Sequence, residues 1–335
     1  MNKILTVVIP TYNIEKYIRT CLDSFVIPEI LDKLEVLVVN DGSKDRSAAI
    51  AREYETRYPG TFRVIDKENG GHGSTINRGL SEAAGTYFKV VDGDDWVERT
   101  AFLKLMDCLE TCGSDVVLSN YYWVHDRTGK QKAEFDEPFA GVQYGKEYRF
   151  SEISDKLFMK MHAVTWRTER IKGKIPPLDE HCFYVDMEYV LFPVPLIQTV
   201  TCIDAFVYRY RVGLPGQSMN TKSMQRNEAN YDRVLDRLFA FYEEQQKERA
   251  PDEVMVYLEN VLGRMAASRM KIYLSFPYGK EIPGKMRDFD RRLLEQYPKV
   301  YKAVINRAVL FLRKTDYRAY FAAWMAYHMK EGIKG

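Results

Sequence analysis

Residues 87–99 read YFKVVDGDDWVER: an apolar run from Tyr87 to Val91 hands over to three carboxylates in four positions, Asp92, Asp94 and Asp95. Like charges crowded this closely repel unless something positive stands between them. In an extended segment Asp92 and Asp94 point the same way, and Gly93 between them lets a ligand approach the backbone. Hard oxygen donors at a strand end suit Mg2+ or Mn2+, ions that commonly neutralise substrate phosphates. An Asp-x-Asp by itself is a weak signal, because surface turns hold many. Its weight depends on what surrounds it.

Towards the N-terminus the same arrangement repeats. Ile4–Ile9, Glu35–Val39 and Phe62–Ile65 read as further short buried strands. Helical patterns lie between them: Ile14 to about Val26 with Asn13 as its cap, Ser43 or Lys44 to about Arg57, and Ser74 to about Ala84. Short apolar strands alternating with amphipathic helices predict βαβ units and a mostly parallel sheet. Beyond each strand comes a polar or glycine-rich cluster: PTYN (10–13), NDGS (40–43), ENGGHG (68–73) and DGDD (92–95). In an open α/β sheet the carboxyl ends of parallel strands share one edge, where ligands bind. The general polarity of turns accounts for Asn and Gly here, but not for acids gathered at one edge.

Composition narrows the class. The chain has 335 residues, 46% hydrophobic and 29% charged, with a formal charge of +2, so it is globular and presents no nucleic-acid field. Five scattered cysteines suit reduced thiols in the cytoplasm. The apolar run Ile4–Ile9 is too short for a signal peptide, and no stretch reaches the roughly 18 to 20 apolar residues of a membrane span.

After Cys112 the pattern is mixed. DVVLSNYYWV (115–124) reads as a strand, DRTGK (126–130) as a turn and VTCIDAFVYRYRV (200–212) as one or two strands that extend the first sheet. From Lys222 onward the pattern is helical, with 22 basic against 15 acidic residues: +7, against −5 for the rest. The expected organisation is a catalytic domain over 1–221, with a donor half of about 1–115 and an acceptor half of about 116–221, followed by a helical domain over 222–335.

The segments VVIPTYN (7–13), VLVVNDGSKDRS (36–47), NGGHGSTINRGL (69–80) and KVVDGDDW (89–96), in this order and spacing, resemble the family 2 glycosyltransferases. The likeness is specific over about the first 115 residues, looser to about Asn220 and faint beyond. It implies the GT-A fold, an α/β Rossmann-like mixed sheet, here with a C-terminal helical region. It also implies inverting transfer from a nucleotide-sugar, usually a UDP-sugar. By matching positions, Pro10 and Tyr12 would line the pocket for the donor's base and Asp41 would accept from it, with Gly71, His72 and Asn77 lining the donor site. Asp92 and Asp94 match the metal- and ribose-contacting pair that holds Mn2+ or Mg2+, with Asp95 an alternative ligand. The family's arginine in ARN-x-G is replaced by Ile76 in TINRG (75–79), and Arg78 is displaced by about 200° around a helix. His72 is either a donor to sugar or phosphate or a structural residue of its loop.

The family's general base lies in an ED pair at a helix start, and LDEHCFYVDMEYVLFP (178–193) matches it with Asp186 as the acid and Val185 in place of Glu. An aspartate there takes the proton of the acceptor hydroxyl as attack develops. Glu180 and Glu188 are alternatives, and Asp186 also reads as a plain helix cap. YRYRVGLPGQSM (208–219) resembles the family's Y-x-Y-R strand and donor-closing loop, so Arg211 either contacts pyrophosphate or sits on an edge strand. His162 and His181 flank the acceptor side, in the core or orienting the acceptor.

The reading is therefore transfer of one sugar to a glycan or lipid-linked acceptor in cell-surface polysaccharide synthesis. The membrane spans and Q-x-x-R-W motif of processive relatives are absent from this sequence. The alternatives are a sugar-nucleotide nucleotidyltransferase, for which PTYNIEK lacks the triphosphate loop, and a silent nucleotide- or glycan-binding module. A nicotinamide oxidoreductase lacks its G-x-G-x-x-G. The aromatic, basic stretch Tyr301–Lys330 reads either as peripheral contact with the inner face of the cell membrane or as packing on protein, a second copy of the chain included.

Overall fold

The computed structural model describes residues 3–134, 139, 141–214, 217 and 220–334. Two compact units make up the chain, Met1–Pro215 and Gly216–Gly335.

The first unit is built on one ten-stranded sheet. Its strands are β1 (Leu5–Thr11), β2 (Leu34–Asn40), β3 (Phe62–Asp66), β4 (Tyr87–Val90), β5 (Trp96–Val97), β6 (Val116–His125), β7 (Gln131–Ala133), β8 (Glu147–Arg149), β9 (Val164–Arg167) and β10 (Thr199–Val212). The order is β3-β2-β1-β4-β9-β6-β10-β5, with β7 beside β6 and β8 beside β10. The four N-terminal strands run parallel in continuous register, Thr11 opposite Asn40 and Asn40 opposite Asp66, which brings their carboxyl ends to one edge. Val7, Ile9, Val36 and Val38 are fully buried, each burial worth about 1.5–3 kcal/mol. The second half is mixed: β9 inserts antiparallel between β4 and β6, while β6 and β10 run parallel.

The expected helix starts are corrected. The first helix begins at Ile18 and not at Ile14. Asn13 is no cap: it sits at φ 51°, a left-handed position that Asn tolerates. Its N–H donates to Ser43 Oγ and its side-chain oxygen accepts from the Lys44 N–H, which ties the first two loops together. The second helix starts at Ser47, and the third spans His72–Glu82, so His72 occupies the first helical turn. Of the one or two strands expected over 200–212, the structure forms one, of 14 residues over 199–212, whose register against β6 shifts twice near Phe206 at bulges.

A buried lysine marks the switch from parallel to antiparallel pairing. Lys89 on β4 is fully buried, and its Nζ donates to the carbonyls of His162 (3.0 Å) and Val164 (3.1 Å) at the start of β9. Burial pushes its pKa down to about 7.

The second unit is all helical. Its long helices Glu228–Lys247 and Asp252–Ser275 bury Val234, Leu238, Leu258 and Leu262, and Arg313 pairs with Asp290 at 2.7 Å in the interior. In the helices Arg307–Lys314 and Tyr320–Lys334, Val309, Leu312 and Tyr320 face inward, while Leu310, Phe311, Phe321, Met325 and Met329 are exposed. Among the described residues no helix is long and apolar enough to cross a membrane.

Lys89 gives a sign-determined test. An unfolded lysine titrates near 10.4, so between about pH 7 and 10 the unfolded chain holds a proton that the folded chain does not. Stability therefore rises with pH across that window, by at most about 1.4 kcal/mol per pH unit. Urea unfolding at pH 7 and pH 9 is expected to show this gain in the native chain and its loss in Lys89→Met.

Candidate active site

The loops past β2 and β3 are clipped together by one carboxylate. Asp41 is 2% exposed; Oδ1 accepts from the Gly70 N–H and from Lys67 Nζ, and Oδ2 accepts from the Gly71 N–H, all at 2.8 Å. Pro10 is buried at the end of β1, and Tyr12 beyond it is half exposed at the mouth of the crevice.

The glycine loop in turn carries the acceptor-side segment. The His181 N–H donates to Gly70 O at 2.6 Å, and Asn77 binds the Leu178 backbone both ways, its Nδ2 to Leu178 O at 2.9 Å and the Leu178 N–H to its Oδ1 at 2.8 Å. A Cβ at Gly73 would run into the carbonyl oxygen of Asp179, and Gly71 has φ 83° with His181 backbone atoms just beyond it. These contacts fix where the helix Asp186–Leu191 begins.

Positive groups do stand among the acids. His72 Nε2 lies 2.7 Å from Asp92 Oδ1. Burial alone would lower the imidazole's pKa, but Asp92, with Asp186 and Asp94 behind it, raises it above the ordinary 6.5. The Asp92 carboxyl is in turn held low by His72 against the upward push of burial. Arg211 crosses from β10: its Nε donates to Asp94 O (2.7 Å), its N–H to Asp95 Oδ1 (2.7 Å) and its Nη1 to Asp126 (2.9 Å). Its guanidinium lies over the rings of Trp96 and Tyr17. The loop after β10, expected to close over the donor, includes residues 215, 216, 218 and 219, which lie outside the described residues.

The three acids differ in environment. Asp94 is pushed up to about 6 by burial and by Asp92. Asp95 is buried and pushed well above the carboxylate range by burial and its two acidic neighbours; its Oδ2 accepts from Tyr208 Oη at 2.6 Å. The Asp92 N–H donates to the same Tyr208 oxygen at 3.1 Å.

Of the candidate bases, Asp186 shares the field of this cluster. Burial raises its carboxyl, His72 pulls it part of the way back and Asp92 adds to the rise. Val185 holds the N-cap position, and no side-chain cap bond forms there. Glu188 is fully buried, accepting from the Asp179 N–H at 2.7 Å, and Glu180 points to solvent.

One residue left undecided by the sequence joins the acids. The His162 ring packs among Tyr121, Tyr208 and Tyr210, with centroids 4.9, 4.8 and 4.4 Å away, and burial lowers its pKa to about 3. Its Nδ1 is sealed from solvent without a hydrogen-bond partner. Among the described residues, Asp92, Asp95 and His162 bring one ligand atom each within 4.8 Å of one another. Carboxylates beside a neutral imidazole form a donor set that fits a divalent cation.

Comparison with known proteins follows the same lines. The model for "Glycosyl transferase family 2" matches residues 6–164. EpsH of Bacillus subtilis (strain 168), named as a glycosyltransferase, is 30% identical over 260 residues, which is 69% of this chain and 73% of EpsH. S. aureus TarS 1–349 in complex with UDP matches with a TM-score of 0.61 at 20% identity, over 98% of this chain and 92% of that one. TarS 1–349 in complex with UDP-GlcNAc gives 0.53 at 19% identity, over 88% and 92%. At these identities the structural likeness speaks for the fold: a GT-A mixed sheet followed by a helical region.

If Asp92 is what raises His72, Asp92→Asn lowers the His72 pKa, because burial then acts with less opposition. Titration of the imidazole ring protons by NMR measures the shift; an unmoved pKa removes Asp92 as the cause.

Proposed function

The chain belongs to glycosyltransferase family 2, and on that premise we propose that it transfers a single sugar, with inversion, from a UDP-sugar to a hydroxyl of a glycan or lipid-linked acceptor in cell-surface polysaccharide synthesis. The observation that carries this reading is the meeting of Asp92, His72 and Asp186 in one electrostatic cluster at the carboxyl edge of the parallel strands. The UDP and UDP-GlcNAc complexes of TarS support the choice of donor. Pro10 and Tyr12 then receive the base together with the Asp41 loop, and His72 and Arg211 face the diphosphate side. Bound at the acids, Mn2+ or Mg2+ would offset the charge of the diphosphate.

In the reaction, the acceptor hydroxyl gives its proton to Asp186 as its oxygen attacks the anomeric carbon. The bond from that carbon to the phosphate oxygen breaks on the opposite face, and the electron pair leaves with the nucleoside diphosphate. Burial suits Asp186 to this work, since a raised carboxyl is a stronger base. Only the ionised form accepts a proton, so kcat/KM falls as pH drops through the raised value, placing the acid limb above the ordinary 3.8.

Asp186→Asn is expected to lower kcat by about 10²–10⁴-fold with UDP binding intact, whereas Asp92→Ala loses both turnover and metal-dependent nucleotide binding. Full turnover in Asp186→Asn removes it as the base. A screen of UDP- and GDP-sugars for Mn2+-dependent thermal stabilisation identifies the donor, because a ligand bound only by the folded chain raises its apparent stability.

We further propose that the protein works in the cytoplasm, with its helical unit on the inner face of the membrane. Among the described residues, six of the twelve large exposed apolar residues fall between Ile305 and Met329, and Phe321, Met325 and Met329 recur at four-residue spacing along one helix. Exposed Arg307, Lys314 and Arg318 lie among them, a combination suited to anionic lipid. The full chain should co-sediment with phosphatidylglycerol-containing vesicles and not with pure phosphatidylcholine, and the double variant Phe321→Asp/Met325→Asp should lose that binding. Failure to bind anionic vesicles, or a concentration-dependent dimer that the double variant dissolves, assigns the stripe to a second copy instead.

A further inference from the structure

We propose that His162 supplies a nitrogen ligand to the divalent cation at the acidic cluster, and thereby makes the site favour Mn2+ or a later transition ion over Mg2+. This rests on the metal-dependent reading above.

A histidine that serves only packing satisfies its ring nitrogens, since buried polar atoms are rarely left unpaired. His162 Nδ1 has no partner, although its surroundings hold the residue firmly. The rings of Tyr121, Tyr208 and Tyr210 enclose it, and Lys89 holds its carbonyl oxygen at 3.0 Å. The same Tyr208 donates to the Asp95 carboxylate and accepts from the Asp92 backbone N–H, so one tyrosine touches both acidic residues and packs against the imidazole. The ligand atoms gathered within 4.8 Å are those of Asp92, Asp95 and His162, and Asp94 is not among them.

The mixed donor set has a consequence for the ion. Mg2+ demands near-ideal octahedral geometry, prefers oxygen and retains several waters. Imidazole adds affinity for transition ions, which grows along the series from Mn2+ to Co2+ and Ni2+. A carboxylate-only site lacks that added affinity and suits Mg2+ and Mn2+ alike.

The test uses the full chain with UDP and Mn2+. Pulsed EPR of the bound Mn2+ is expected to show 14N modulation from a coordinated imidazole, present in the native protein and in His72→Gln but absent in His162→Phe. Phenylalanine keeps a ring among the three tyrosines, and His162→Gln provides a second variant should the first fold poorly. Calorimetry is expected to give at least about a tenfold loss of Mn2+ affinity in either His162 variant, the size of effect that even outer-shell partners of a metal produce, with Mg2+ affinity little changed. Mn2+ bound without 14N modulation, or modulation that persists in His162→Phe and disappears in His72→Gln, overturns the assignment while the metal-dependent reading stands. No Mn2+ binding by the native chain overturns both.

Discussion

Repulsion among buried carboxylates governs the catalytic unit. Two unit charges about 4 Å apart repel by about 4 kcal/mol at an effective dielectric near 20, a large share of the roughly 5–15 kcal/mol that holds a domain folded. Asp92, Asp94 and Asp95 nonetheless crowd together, with Asp186 in the field of Asp92. The three contiguous acids are each reached by a particular partner: His72 for Asp92, Tyr208 and the Arg211 amide for Asp95, the Arg211 guanidinium beside Asp94. Two of those partners come from β10 and one from the glycine loop. The late strand must therefore lie beside β6, and the third helix must start at His72, for the acidic turn to exist at all.

The glycine loop also holds the segment that leads to Asp186. Gly73 carries no side chain where the Asp179 carbonyl comes in, and Asn77 binds Leu178 through both amide atoms. The segment that ends in Asp186 is thus anchored on the loop that bears His72. The two segments are held together by the His181 N–H on Gly70 O and by the Asn77 amide on Leu178, so on the roles proposed above donor contact and base placement would be coupled.

This division explains what the sequence could disclose. The parallel strands were legible because a buried strand is a local property, a run of Val, Ile and Leu closed by polar residues. The acidic turn was legible for the same reason: its three carboxylates are contiguous. Asn13 misled because its role is set by Ser43 and Lys44, about thirty residues away. Tyr208 meets Asp95 across 113 positions, and His162 finds the acids only once β9 has inserted between β4 and β6. A histidine just ahead of a short apolar run carries no local mark of such a meeting.

Several buried polar groups in this fold have well-placed partners. Lys89 Nζ has two carbonyls, Asp41 has two amides and a lysine, and Arg313 has Asp290; each braces a junction in the chain. The carboxylates at the sheet edge and the imidazole of His162 are positioned by comparable bracing, and Asp92, Asp95 and His162 bring one ligand atom each within 4.8 Å of one another. Folding alone gives no return for that arrangement, since apolar side chains of similar size would pack there without a desolvation penalty. His162 Nδ1 has no hydrogen-bond partner, a cost that a cation bound through it, as proposed above, would offset.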